Sequence, residues 1–274
     1  MIKIQKSAEP LILVNYKTQW TSDLNQRITE VGGYKSLSKA DKKQYLYHYK
    51  HNDIHSALKN GEPVEKCIYC ECYIDAGDPN VEHFHPKSIY TNETFEWDNL
   101  FSACVSCNRP KGNFDTVSEP FIHPVNDDPE EFLTYCMLRI EPRYKETTDP
   151  VSYRKGWNTI NKCRLDRPEL LPSMSDKLFE VTNKANELKD LLVNYNGYSQ
   201  NACKEAVARE MVSKLNALRY LAKPTKEHAG YVRECLRQNR LVRDTLAIVN
   251  SHAAAIGLGA GYDWGWNFNL PREF

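Results

Sequence analysis

Apolar residues recur three or four positions apart through the second half of the chain, which is the spacing of one face of an α-helix. The pattern covers residues 166–195, with an interruption near Pro172, and then residues 199–223 and 225–249. Ser199 is a suitable N-cap for the second of these stretches. We therefore predict that the last half of the chain is an α-helical bundle, followed by an irregular, aromatic tail.

The N-terminal part has a weaker pattern. The first twenty residues show no helical period and are expected to be extended. A helix is predicted from Ser38 to Leu58, because Ser38 is a good N-cap and Asn60 and Gly61 are typical of a helix end.

The central part of the chain differs in composition from both flanks, and this difference sets the predicted domain boundaries. Residues 63–125 are rich in Cys, His, Pro, Asn and Gly and contain only short apolar runs, so this part cannot be held by a large core of its own. The sequence DDPEE at 127–131 is typical of a helix start, and a short helix is predicted at 152–163. The predicted division is 1–62, 63–125 and 126–274, in an α+β fold that is mostly α.

The net charge of zero over 274 residues hides an uneven distribution. Residues 1–66 carry 11 basic and 7 acidic side chains, residues 67–150 carry 6 and 16, and residues 151–274 carry 19 and 13. An acidic centre between basic flanks would repel phosphate unless cations neutralise it, so we expect metal ions there. The flanks are explained equally well by solvated helix faces or by polyanion binding.

The chain shows no sign of a membrane span or a leader. It begins MIKIQK, and its longest small-apolar run, near Ala253–Ala260, is short and contains glycines. We therefore expect a cytoplasmic location, where nine cysteines are better explained by metal binding than by disulfides.

Two Cys-x-x-Cys pairs define a predicted structural zinc site. Cys67 and Cys70 form the first pair, and Cys104 and Cys107 form the second. Two thiolates in each tight turn reach one ion, and two such turns complete a tetrahedral site. Cys72 lies close enough to be a rival ligand. The other cysteines are expected to be small buried hydrophobes: Cys136, Cys163, Cys203 and Cys235.

Polar residues between and after these pairs carry a second motif. Glu82 and His83 stand in VEHFHPK at 81–87, Asn99 stands in WDNLF, and Asn108 directly follows the second cysteine pair. This order resembles the HNH endonucleases, whose ββα-metal motif has an acid-His pair, an Asn on the second strand, and a His or Asn at the helix start. Asn108 makes this the H-N-N variant.

The resemblance implies a role for each residue of the motif. His83 would be the general base, and Glu82 and Asn108 would bind one divalent ion, Mg²⁺ or Mn²⁺, for which carboxylate and amide oxygens are suitable ligands. Asn99 would orient His83 as a third catalytic-site residue. The zinc ion would have no catalytic task and would replace the missing core.

Basic residues around the motif are candidate nucleic-acid contacts. The candidates are His85, Lys87, Arg109 and Lys111. A separate group of histidines on the predicted helix of the N-terminal part is better explained by a solvated face than by metal: His48, His51 and His55.

A narrower resemblance covers about residues 60–175. The strings KCIYCE, VEHFHPKS, WDNLFSACVSCNRPKGNF, HPVNDDPEEFL and NTINKCRLDRPEL are similar to the PtuB family of Septu-type anti-phage systems, also found beside some retrons. The resemblance implies a nuclease effector that leaves 5′-phosphate and 3′-hydroxyl ends. It also implies a partner, the ABC/SMC-type ATPase PtuA, which would dock on the C-terminal helices or the aromatic tail. His85 stands where the family often has Arg, and the neutral net charge predicts weak nucleic-acid binding by this chain alone.

Two other classes of function are compatible with these residues, a zinc scaffold and a thiol redox protein. A non-catalytic zinc module that scaffolds an ATPase would need zinc but none of the acid-His-Asn set. A thiol redox protein would need reactive cysteines. For a nuclease, DNA is the expected substrate, and RNA, including tRNA, stays open because such a site reads a phosphate rather than a base.

Overall fold

A computed structural model describes residues 1–61, 65–74 and 80–270. The helices are α1 (Leu11–Glu30), α2 (Lys39–Asp41), α3 (Asn52–Asn60), α4 (Val105–Lys111), α5 (Pro129–Phe132), α6 (Pro150–Lys162), α7 (Leu171–Gly197), α8 (Asn201–Leu221), α9 (Ala229–Gln238) and α10 (Arg240–Ser251). The strands are β1 (Asn80–His83), β2 (Leu100–Ala103), β3 (Leu133–Cys136) and β4 (Arg139–Pro142). The predicted mostly helical α+β class is confirmed.

The chain forms two compact units. The first contains Met1–Leu133 and Ile140–Asp166, and the second contains Thr134–Arg139 and Arg167–Phe274. The predicted boundary at residues 62 and 63 lies outside the described residues. Among the described residues, no helix is both long enough and apolar enough to cross a membrane.

A small ββα arrangement lies at the centre of the first unit. Strand β1 pairs antiparallel with β2, with Glu82 opposite Phe101 and His83 opposite Leu100. Helix α4 follows β2 almost immediately and contacts β1. Because the strands have only four residues each, they bury little apolar area of their own and depend on neighbouring elements.

The N-terminal helices supply that missing core. Leu13 and Leu24 on α1 are fully buried and pack in one cluster with Ile54 of α3, Val81 of β1 and Leu100 of β2. The expectation of an extended first twenty residues is therefore wrong for α1. Leu13 and Leu24 lie about three helical turns apart, so they share a face, but the polar residues between them conceal the period.

The helix predicted from Ser38 to Leu58 is interrupted. Ser38 does cap α2, and its side chain accepts a hydrogen bond from the backbone N–H of Asp41. The chain then passes through a π turn and a 3₁₀ turn to His51, which is extended at φ −60° and ψ 140°. Its imidazole caps α3. The interruption allows both Leu46 and Tyr49 to be buried in the interior.

A hairpin follows the predicted helix start at 127–131. Asp128 caps α5, which has Pro129 in its first turn, but the helix ends at Phe132 and the chain continues as β3 and β4. The prediction that the chain is helical from about residue 127 is therefore wrong for residues 133–142. The predicted short helix at 152–163 is confirmed as α6.

The second unit is the predicted helical bundle. Helices α7 to α10 pack around a core that includes Leu188, Leu215, Leu236 and Val249, and Trp264 of the tail joins this core. The helix predicted from Thr225 is divided at Asn239, whose side chain accepts a hydrogen bond from the N–H of Val242 and caps α10. Asn239 therefore begins a new helix within an otherwise continuous apolar pattern.

Candidate active site and zinc centre

The four cysteines of the two pairs meet at one point. The first pair lies in a tight turn in which the Glu71 N–H donates to the Cys67 carbonyl at 2.9 Å. The second pair begins α4, where Cys104 is the N-cap and Cys107 lies one turn later. A hydrogen bond of 3.1 Å from the Ile68 N–H to the Ser102 carbonyl joins the first turn to β2.

The sulfur geometry suits a zinc ion. All four Sγ atoms lie within 4.8 Å of one another, and those of Cys70 and Cys104 are 3.8 Å apart. A tetrahedral site with Zn–S bonds of about 2.3 Å places its sulfurs about 3.8 Å apart. The cluster therefore fits the predicted structural zinc. The ion would fasten α4 to β2 and to the turn that holds Cys67 and Cys70.

The remaining cysteines lie outside this cluster. Cys163 is fully buried, as predicted. Cys136 is exposed, and Cys203 and Cys235 are partly exposed, so the prediction of burial is wrong for Cys136. Cys72 is also partly exposed and is not part of the four-sulfur group.

His83 ends β1 with one ring nitrogen held by a hydrogen bond and the other buried without a partner among the described residues. Its Nε2 atom lies 3.0 Å from the carbonyl oxygen of Thr94, so Nε2 carries the hydrogen and donates it. The edge of the Tyr49 ring meets the imidazole at 4.6 Å between ring centroids and 89° between planes. The buried Nδ1 atom has no partner among the described residues. Its lone pair is therefore free to accept a proton.

Electrostatics keep this imidazole neutral. Burial lowers the pKa of His83 well below its usual range, and the positive charges of Lys87 and Lys111 lower it further. A neutral histidine whose Nε2–H is held by a carbonyl presents Nδ1 as a base. The arrangement thus provides the protonation state that abstraction of a proton from water requires.

Glu82 and His83 are successive residues of β1, so their side chains lie on opposite faces and contact different groups. Its Oε1 atom lies 2.6 Å from Nζ of Lys111 and accepts a hydrogen bond of 3.0 Å from the hydroxyl of Tyr69. Burial raises the pKa of Glu82, and the Lys111 ammonium opposes this effect. Its other oxygen, Oε2, makes no hydrogen bond to any residue that the structure describes.

Asn99 connects three parts of the loop that follows His83. Its Oδ1 accepts a hydrogen bond of 2.6 Å from the His85 N–H. Its Nδ2 donates to the carbonyls of His85 at 3.1 Å and Glu93 at 2.9 Å. Since Glu93 directly precedes Thr94, this side chain also fixes the segment whose carbonyl holds His83.

Asn108 occupies the first turn of α4. Its side chain is half-buried and makes no hydrogen bond to any residue in the described parts of the chain. An amide oxygen without a partner and the remaining oxygen of Glu82 are hard donors of the kind that Mg²⁺ prefers. The donor set therefore fits the divalent ion that the sequence predicted.

The four predicted nucleic-acid contacts differ in accessibility. Arg109 is exposed and Lys87 is half-buried, whereas His85 is half-buried and its Nδ1 faces a Glu93 oxygen at 2.5 Å. Lys111 is 2% exposed and donates to the carbonyls of His83 at 3.0 Å and Phe84 at 2.9 Å, besides Glu82. The prediction of a phosphate contact is therefore corrected for Lys111, because its ammonium is fully used inside the fold.

Two residues of the site were missed by sequence reasoning. Tyr49 lies in the N-terminal part, where no motif marks it, and Thr94 contributes only a backbone carbonyl, which no side-chain pattern reveals. The group of three histidines forms no metal cluster within the described residues, and the ring of His48 stacks on Trp20 at 4.6 Å between centroids.

Comparison with known proteins agrees with this geometry. The sequence model of the HNH endonuclease family matches residues 67–114, which contain both cysteine pairs and the residues around His83. The chain is also 31% identical over 182 residues to Septu protein PtuB of Bacillus thuringiensis. That match covers 64% of this chain and 65% of the relative, so the chain spans less than two thirds of the relative's length. Residues 67–114 thus match the HNH endonuclease family, and the chain is similar to Septu protein PtuB over the aligned part.

Proposed function

We propose that the chain is a metal-dependent endonuclease that hydrolyses nucleic-acid phosphodiester bonds. The observation that carries this proposal is the fixed, buried imidazole of His83, whose Nε2 is held by the Thr94 carbonyl and whose Nδ1 has no partner among the described residues. A structural module would gain nothing from a buried, unpaired nitrogen, because an unmade hydrogen bond costs about 1–3 kcal/mol.

In this mechanism His83 removes a proton from water at Nδ1. The Thr94 carbonyl keeps the hydrogen on Nε2 and stabilises the imidazolium that forms. Asn99 holds the loop on which both depend, so it is a positioning residue. General-base catalysis of this kind contributes about 10²–10⁴-fold to the rate.

Glu82, through Oε2, and Asn108 would hold the divalent ion. Such an ion, when bound, supplies charge neutralisation at the phosphate and at the leaving oxygen. Burial raises the pKa of Glu82, and the Lys111 ammonium opposes this rise and so favours the ionised carboxylate. The products would carry 5′-phosphate and 3′-hydroxyl ends.

The biological role is proposed to be that of the effector of a Septu-type anti-phage complex in the cytoplasm. The similarity to Septu protein PtuB supports this role. The proposed partner is an ABC/SMC-type ATPase, which would dock on the helices of the second unit or on the aromatic tail. DNA is the proposed substrate, with RNA, including tRNA, as the second candidate.

The test is cleavage by the full chain, alone and with the ATPase encoded beside it. Duplex DNA and total tRNA are incubated with Mg²⁺ or Mn²⁺, and the wild type is compared with His83→Ala. We expect ion-dependent cleavage that falls by at least ~10²-fold in the variant, while zinc content and folding are retained.

His51→Asn is a matched control, because it alters an exposed histidine while keeping a residue type that caps α3. It should cleave like the wild type. Equal activity of His83→Ala and wild type would refute the proposal. A chain that binds zinc but cleaves neither DNA nor tRNA, with or without the ATPase, would favour the scaffold function instead.

A further inference from the structure

Two lysines lie over one tyrosine ring beside His83. Nζ of Lys87 is 5.5 Å from the centroid of the Tyr49 ring, and Nζ of Lys50 is 6.0 Å from the same centroid. Tyr49 meets His83 with its ring edge at 4.6 Å between centroids. One aromatic ring therefore adjoins the proposed base and two cations.

These two cations have no acidic partner in the described ranges 1–61, 65–74 and 80–270. Neither Lys50 nor Lys87 forms an ion pair there. Glu82, whose charge acts on Lys87, already has Lys111 at 2.6 Å. Burial lowers the pKa of Lys87, and the charges of Lys111 and Lys50 lower it further. The positive charge of the two lysines beside the Tyr49 ring is therefore not neutralised by an ion pair, and an anionic ligand would relieve it.

The two lysines come from distant parts of the sequence. Lys87 follows β1 within the HNH domain, whereas Lys50 ends the 3₁₀ turn between α2 and α3. Lys50 is exposed, and its Nζ also lies 4.4 Å from the centroid of the Tyr47 ring, a side chain that is 38% exposed. The cationic surface thus extends from the buried base to solvent.

We propose that Lys50 and Lys87 together bind the phosphodiester backbone of the nucleic acid beside the phosphate that is cleaved at His83. The inference rests on the proposed function. It makes the turn between α2 and α3 a part of the nucleic-acid site, although this turn lies outside the HNH domain. The contacts are to phosphate, so they add affinity without sequence preference.

The test measures binding apart from cleavage. In the full chain carrying His83→Ala, the affinity for a fluorescent DNA duplex, and in a second arm for a fluorescent RNA hairpin, is measured over a range of salt concentrations. Lys50→Gln and Lys87→Gln are each added to this chain. Lys43→Gln is the matched control, because Lys43 is an exposed lysine of the same N-terminal segment.

Each phosphate contact that is lost should lower the slope of log affinity against log salt by about 0.9 for duplex DNA. We expect this change for Lys50→Gln and for Lys87→Gln, with no change for Lys43→Gln. Slopes equal to that of the parent chain, or no binding at all, would overturn the inference. A change at Lys87 alone would overturn the role of Lys50.

The outcome is separable from that of the proposed function. In one outcome the lysine variants change the slope of log affinity against log salt while the chain with intact His83 cuts no nucleic acid. That result would support the binding site and contradict the nuclease function. If that chain cuts nucleic acid and the slopes do not depend on either lysine, the inference alone falls.

Discussion

Lys111 extends from the end of α4 to Glu82 on β1, where its Nζ lies 2.6 Å from the carboxylate oxygen Oε1. Both side chains are almost completely buried, at 0% and 3% exposed. The same ammonium donates to two carbonyls at the end of β1. The pair thus connects the helix that carries Asn108 to the strand that carries His83.

Replacement of Lys111 should destabilise the protein strongly. Lys111→Met leaves the Glu82 carboxylate buried without its cation, and breaking a buried ion pair in this way costs about 3–5 kcal/mol. Urea unfolding in the presence of zinc, followed by tryptophan fluorescence, measures the change in the free energy of unfolding.

The double variant Lys111→Met with Glu82→Gln is the control for this effect. It removes both charges, so its loss of stability should be smaller than that of Lys111→Met alone. A double variant that is less stable than the single one would show that the ion pair is not what Lys111 stabilises.

Loss of one zinc ligand should release the metal and unfold the centre of the first unit. Cys104→Ser removes one of four converging thiolates, and structural zinc contributes about 10–16 kcal/mol in isolated zinc-finger peptides. Zinc per chain, by atomic absorption, and near-ultraviolet circular dichroism are the measurements. Cys136→Ser, at an exposed cysteine outside the cluster, should keep both signals. Full zinc content in Cys104→Ser would contradict the four-sulfur site.

Asn99→Ala should lower kcat while leaving the affinity for nucleic acid unchanged. The change leaves the His85 N–H without its acceptor and frees the carbonyls of His85 and Glu93, so the loop that holds His83 loosens. A displacement of about 1 Å in a catalytic group can cost on the order of 10²-fold in rate. Asn113→Ala, at an exposed position, is the control. If KM rises and kcat does not fall, Asn99 acts in binding and not in positioning.

The ring of Tyr49 should matter more than its hydroxyl. Tyr49→Leu removes the ring edge that packs against the imidazole of His83, and we expect kcat to fall by tenfold or more, by the same positioning argument. Tyr49→Phe keeps the ring and should recover most of that loss. Initial rates on a labelled duplex measure both. Equal losses in the two variants would assign the effect to the hydroxyl.

The zinc site and the proposed catalytic residues could be recognised in the sequence because both depend on short-range spacing. Two residues between paired cysteines place both thiolates on one turn, and a polar residue directly after Cys107 enters the first turn of a helix. Alternation along β1 also explains why Glu82 and His83 contact different groups. Such relations hold whatever the rest of the fold does.

Helix α1 could not be predicted from local spacing. Its buried positions, Leu13 and Leu24, are separated by polar residues, and the elements that it contacts include the 3₁₀ turn at Thr91–Glu93, far along the chain. Long-range packing of this kind overrides a weak local pattern. Packing also overrides the local pattern after Ser38, where a turn replaces the middle of the predicted helix.

Residue spacing along the chain was enough to predict four cysteines for zinc and to propose Glu82, His83 and Asn108 for hydrolysis. Only the tertiary structure decided their surroundings. Folding buried Lys111 against Glu82, placed the Thr94 carbonyl beside Nε2 of His83, and packed the edge of the Tyr49 ring against the same imidazole. The physical reason is that ligand spacing is a property of a single turn, whereas burial and charge pairing arise between segments that meet only after folding.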